Sequence, residues 1–133
     1  MEEAIVALLN GNAAVAALIA TRVFPSEAPA NSLRPFVAYV RNDGANLNSL
    51  GGRGGLNKAT YDLRCVAETQ AEAKAVGDAV EVACDVLNQT LGGIAVNAID
   101  VMDVRDELIQ GKDMTSNPSW ARVVSISGFW RTN

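Results

Sequence analysis

Residues 58–87 constrain the fold most, because there a period-two pattern gives way to a helical one across a single turn signal. Across residues 58–67, Ala59, Tyr61, Leu63, Cys65 and Ala67 fall on one face and Lys58, Thr60, Asp62 and Arg64 on the other, the pattern of a half-buried strand. Thr69-Gln70-Ala71-Glu72 has capping-box spacing: the Thr69 hydroxyl can accept from the third helical N–H while Glu72 reaches back to the cap's own N–H. A long helix is predicted from there, with Ala73, Val76, Val80, Ala83 and Leu87 on its apolar face and Lys74, Asp78, Glu81 and Asp85 opposite. Strand and helix should share one core. Nothing in this unit is chemically reactive.

With 133 residues the chain fits one domain, 1–133, able to bury roughly 65 to 70% of its unfolded surface without staples. Apolar residues make up 49% and aromatics 5%, so the core is built from Ala, Val, Leu and Ile, which favour closely approaching layers over a large ligand cavity. The net charge is −4, with 11 basic residues dispersed among 15 acidic ones. Without a Lys/Arg cluster there is no counterion-release footprint for tight nucleic-acid binding. An acidic surface is compatible with a channel through which DNA slides.

The chain contains no histidine, which removes zinc sites of the finger or hydrolase type and nucleophile arrangements that need an imidazole. Only carboxylate, Lys or Tyr chemistry remains, and no cofactor or metal is expected. Cys65 and Cys84 stand on or near apolar positions of the strand and helix, so buried thiols are expected over a disulfide. The apolar run 13–20 is not read as a signal sequence or a membrane span. Glu2 and Glu3 replace a basic leader, Asn10-Gly11-Asn12 interrupts the run, and it is far short of the ~20 residues needed to cross a bilayer.

In chain order, residues 2–9 read as a short helix ended by Gly11, and Asn12 as the N-cap of a second short helix over 13–21. Residues 22–35 hold Pro25, Pro29 and Pro35 and read as an extended connector. Residues 36–41 form a β-branched and apolar strand, stopped by Asn42-Asp43-Gly44. The following segment, 43–57, carries Gly44, Gly51, Gly52, Gly54 and Gly55. It lacks the Gly-Lys-Ser/Thr of a phosphate loop and precedes a strand, so it reads as a hairpin tip that orders against a neighbouring subunit.

Leu91-Gly92-Gly93 should stop the long helix, and a strand over 94–104 should follow. Ile94 and Val96 share one parity and Ile99 and Val101 the other, which a bulge near Asn97 or Ala98 would reconcile. Asp100, Asp103 and Asp106 raise a metal or acid-pair reading, but regular strand geometry puts Asp100 and Asp103 on opposite faces, and solvated strand-edge charges are expected. Residues 108–119 read as a second polar loop and 120–131 as the last strand. Trp120, Phe129 and Trp130 near its ends either meet another subunit or close the core's edges. The sum is an α+β domain: an antiparallel four-stranded sheet with one long helix packed on a face and two short N-terminal helices.

Several phrases, in order, carry a resemblance: Leu8-Leu9, Ala13-Ala14-Val15, Arg22-Val23-Phe24-Pro25, Ala28-Pro29 and Pro35-Phe36-Val37-Ala38-Tyr39. A Gly-rich stretch, Ala59-Thr60-Tyr61-Asp62 and Gln70-Ala71-Glu72-Ala73 follow them. Over roughly residues 5–90 the chain resembles the tail completion or tail terminator proteins of long-tailed phages, prophages and phage-like gene transfer particles. The resemblance implies a structural virion protein without catalytic residues, assembled in a bacterial host's cytoplasm. Such proteins form a ring, typically of six subunits, on the end of the tail tube. The ring ends tube growth and docks to the neck of the filled head. Its expected partners are therefore further copies of itself, the tail-tube protein and a head–neck stopper or adaptor, with DNA passing through the lumen and no membrane. Leu50, Arg53 and Leu56 in the first loop, Lys112 in the second, and Trp120 and Trp130 on the last strand are the expected subunit and tube contacts. Two alternatives stand beside this reading: a neck stopper, adaptor or tube subunit, and a small carboxylate enzyme or binding module using Asp62 with Asp100 or Asp103.

Overall fold

The computed structural model describes residues 2–20, 22–25, 34–43, 56–109 and 119–131. Helix α1 (Glu2–Gly11) has Glu2 and Glu3 in its first turn, where the helix dipole favours acids, and ends at Gly11. The Asn12 side chain then accepts a hydrogen bond of 3.1 Å from the Val15 N–H and starts α2 (Ala13–Ile19). The two helices meet at 88° and bury Ile5, Leu9, Val15 and Ile19 in the core.

Six strands follow the order β1-β2-β3-β6-β5-β4. They are β1 (Val23–Pro25), β2 (Phe36–Asp43), β3 (Leu56–Ala67), β4 (Val86–Leu91), β5 (Ile94–Ile109) and β6 (Ser119–Arg131). β1 runs parallel to β2 and all other neighbours are antiparallel. The sheet is therefore mixed, and it curls into a half-barrel over three short helices. This corrects the expected antiparallel four-stranded sheet with one long helix.

Two strands account for the difference. β1 lies within the proline-bearing segment read as a connector; it is too short to show a period, and its Pro25 sits at a strand end on a sheet edge, where a missing N–H is tolerated. β4 falls within the stretch that spacing assigns to the end of the long helix. That helix, α3 (Gln70–Ala83), stops at the Cys84 cap, and Leu87, placed on its apolar face by spacing, stands 69% exposed on β4. Gly92 and Gly93, at φ 56° and 80°, make the β4–β5 turn instead of a helix stop. A two-residue hairpin of type I′ needs positive φ at both central positions, which glycine adopts without strain.

The interior was more legible. Thr69 caps α3 by accepting from the Glu72 N–H at 3.2 Å. Ala59, Tyr61, Leu63, Cys65 and Ala67 all turn inward from β3. Val124 and Ile126 of β6 stand opposite Leu63 and Tyr61 in register, and Val76 and Val80 of α3 close the cluster from the helix side. β5 shifts register between Val96 and Ala98, where the parity conflict required a bulge, and again between Val101 and Asp103. It also continues to Ile109, so part of the expected 108–119 loop is strand.

Gly77 marks the closest approach of α3 to the sheet: a Cβ built there would lie 2.4 Å from Arg122 Cδ and 2.7 Å from its Cγ. Gly77→Val is therefore expected to cost about 1–3 kcal/mol, since Arg122 must leave its carboxylate partners to make room. Urea unfolding checks this; an unchanged midpoint would show that the contact is slack.

Candidate assembly interface

Alternation gives the sheet two faces. The inner one carries the core. On the other, Asp62 of β3 stands opposite Ser125 of β6, and Ser125 opposite Asp103 of β5, so the three side chains share one row. The Ser125 hydroxyl donates to Asp62 Oδ1 at 2.6 Å, and Arg105 Nη2 donates to Asp62 Oδ2 at 3.2 Å. Arg105 Nη1 also donates to Ser125 Oγ at 3.1 Å, and the guanidinium stands 3.6 Å from Asp103 and 3.5 Å from Glu107. Asp62 is buried while Arg105 remains exposed, so the guanidinium covers the carboxylate. Burial works against the Arg105 charge, but the bond to Asp62 and the neighbouring acids outweigh it and hold its pKa above the usual value.

The second bulge of β5 builds this row. It leaves Met102 out of register, so that Asp100 faces Ser127 and Asp103 faces Ser125, and the two acids share one face. Regular strand geometry had put them on opposite faces. Asp62 and Asp103 do come together, as the carboxylate reading required, but Arg105 bridges them. A cation between two carboxylates stabilises both as ions, whereas acid–base chemistry needs one of the two kept protonated.

A second junction joins sheet and helix on the inner face. Arg122 Nε and Nη2 donate to the two oxygens of Asp106 at 2.8 and 3.2 Å, and Nη1 donates to Asp78 of α3 at 3.1 Å. These Arg122 bonds hold the Asp106 carboxyl below its ordinary value against a smaller desolvation effect. Neither Arg105 nor Arg122 stood out in the sequence. The available signal was parity: Arg122 lies in the inward register of Val124 and Ile126, where a cation needs carboxylates to meet it.

Of the expected contact residues, Leu50, Arg53 and Lys112 lie outside the described residues, and of Leu56 only the backbone, opening β3, is described. Trp120 and Trp130 are half-buried at opposite ends of β6. Trp120 stands opposite Ala67 and Leu108, and Trp130 opposite Asn57 and Val96 and against the core. The structure does not bring these two together. Among the described residues, the large apolar side chains it leaves outside are Val82, Leu87 and Met102.

Cys65 and Cys84 are free and buried. Burial pushes both thiols up, Cys84 to about 12 and Cys65 further, with Cys84 adding to the rise at Cys65. A thiol reagent at neutral pH is therefore expected to label neither until the chain is unfolded. Rapid labelling of the native protein would contradict this burial.

The family described as "Tail completion protein gp17" matches residues 3–113. Among solved structures, a chain of the "Virion of native gene transfer agent (GTA) particle" is similar with a TM-score of 0.65 and 16% identity, over 96% of this chain and 92% of that one. At that identity the likeness is one of fold. No curated protein sequence matches the chain.

Proposed function

This chain belongs to the tail completion protein gp17 family and is a structural protein of the virion tail or neck, and from that premise we propose that it forms a ring on the end of the tail tube. The ring, of six copies, ends tube polymerisation and joins the tail to the head through the stopper or adaptor of the neck. The observation that carries this reading is the family match over residues 3–113. The fold shared with a chain of a gene transfer agent virion, over nearly the whole length of both, supports it. A net charge of −4 suits a wall past which DNA moves without being held. Leu50, Arg53, Leu56, Lys112, Trp120 and Trp130 are assigned to the ring and tube contacts. The two tryptophans, half-buried at the two ends of β6, offer aromatic surface to partners on either side of the sheet's long axis.

The test is tube growth in solution. Purified protein added to polymerising tail-tube subunits is expected to shorten the tubes in proportion to its concentration. Tube lengths that do not respond would remove the terminating role.

A further inference from the structure

The junction between α2 and β1 holds a residue in a backbone conformation that its side chain disfavours. Ala20, the C-cap of α2, has φ 54° and ψ −118°. The Arg22 N–H donates to the Ile19 carbonyl at 3.0 Å, which closes a four-residue turn and makes Ala20 its first central residue. A type II′ turn gives those angles to that position, where glycine is the usual occupant because a Cβ crowds the backbone. Alanine is strained there, and such strain persists only where the surrounding structure holds it.

Arg22 holds it. Its Nε donates to the Pro35 carbonyl at 2.8 Å and its Nη2 to the Leu18 carbonyl at 3.5 Å, so one side chain ties the end of α2 to the start of β2. Its own carbonyl accepts from the Val37 N–H at 3.0 Å, a bond of the parallel β1–β2 pairing. Beyond Arg22, β1 is three residues long and none of them is fully buried. Val23 packs partly against the core, Phe24 meets Phe36 edge-on with ring centroids 5.7 Å apart, and Pro25 is exposed and has no N–H to pair. The elements on either side are anchored differently: Val15 and Ile19 of α2 and Val37 of β2 are 0% exposed. A strand with strain at its entrance and only half-buried contacts along it belongs to the low-stability end of a fold.

We propose that β1 is a strained strap over the outer edge of β2, and that it opens on its own while the rest of the fold stays intact. Closed, it occupies the edge of β2 from Val37 to Tyr39. Opening lets Ala20 leave the positive-φ region, while α2 stays docked through Val15 and Ile19. Among the described residues, the outer edge of β2 is then unpaired from Phe36 to Asp43. An edge of that length is one to which an extended segment of another chain can add as a strand. The strap is therefore a removable cover, which blunts the edge while closed and exposes it on lifting.

The experiment is residue-resolved amide hydrogen exchange of the full chain, with a substitution series at Ala20, whose side chain is exposed. In wild type the Val37 N–H is expected to exchange at least about a hundredfold faster than the slowest amides of β3, which has a strand on both sides. Ala20→Gly accepts positive φ without strain and is expected to slow Val37 exchange by about three- to tenfold. Ala20→Val, whose branched Cβ fits that region worse, is expected to speed it by a similar factor. Arg22→Gln removes the tie and should also speed it, with the β3 amides remaining the slowest in every variant. A Val37 amide as slow as those of β3 would mean that the strap opens only with the whole fold. A rate that ignores the glycine, alanine and valine series would mean that strain at Ala20 does not bias the opening. Either result overturns the strap.

Discussion

Tyr61→Ala is expected to destabilise the protein by about 3–5 kcal/mol, the range for deleting a fully buried aromatic ring. Among the described residues Tyr61 is the largest of the fully buried side chains, at 1% exposure, and it sits between Arg41 of β2 and Ile126 of β6 in the middle of the sheet. Its loss leaves a cavity where α1, β3 and β6 converge, and strands on either side can close it only by bending. Tyr61→Phe keeps the ring and isolates the hydroxyl. Burial, reinforced by Glu2 and Glu3 and opposed by Arg41, pushes that hydroxyl from an ordinary 10 to about 12. The folded state therefore favours the protonated phenol. Its contribution is whole below pH 10 and is lost as pH rises through about 12, of order 2 kcal/mol in all. Urea melts at about pH 8 and about pH 11 should show wild type weakening more than Tyr61→Phe. Equal losses in both proteins would mean that the hydroxyl is not desolvated as the structure has it.

Asp62→Ala comes second, at about 2–3 kcal/mol. The substitution removes the acceptor of the 2.6 Å Ser125 bond and of the 3.2 Å Arg105 bond, and it leaves a hydroxyl and a guanidinium facing each other without their anion. Arg105→Ala should cost less, because its side chain is 41% exposed and water replaces part of what it loses. In a double-mutant cycle the two changes are expected to couple by about 1 kcal/mol or more. Additive costs would show that the row is a crowd of neighbours and not a network.

What the sequence could reveal depended on whether an element faces the core on its own. β3 alternates strictly and α3 begins with a capping Thr69, so both could be read from spacing alone. β4 could not, because its interior residues Leu87, Asn88, Gln89 and Thr90 are all exposed and an edge strand without a buried face has no period to find. The Gly92-Gly93 turn was visible as a pair of glycines, yet the same pair also ends helices, and the helix in front of it tipped the reading. The continuation of β5 to Ile109 was hidden because Asp103, Arg105, Asp106 and Glu107 make a strand look like a polar loop when the partners that neutralise them lie far away in the chain. For the candidate interface, the acids of β5 were visible individually. Their arrangement on one face depends on a bulge at Met102, which only the pairing with β6 reveals.

The point at which assembly stops without this protein tests the tail-completing role most directly. Electron microscopy of particles from a producer strain lacking the gene should show filled heads without tails beside free tails of abnormal length. Joined particles with tails of normal length would contradict it.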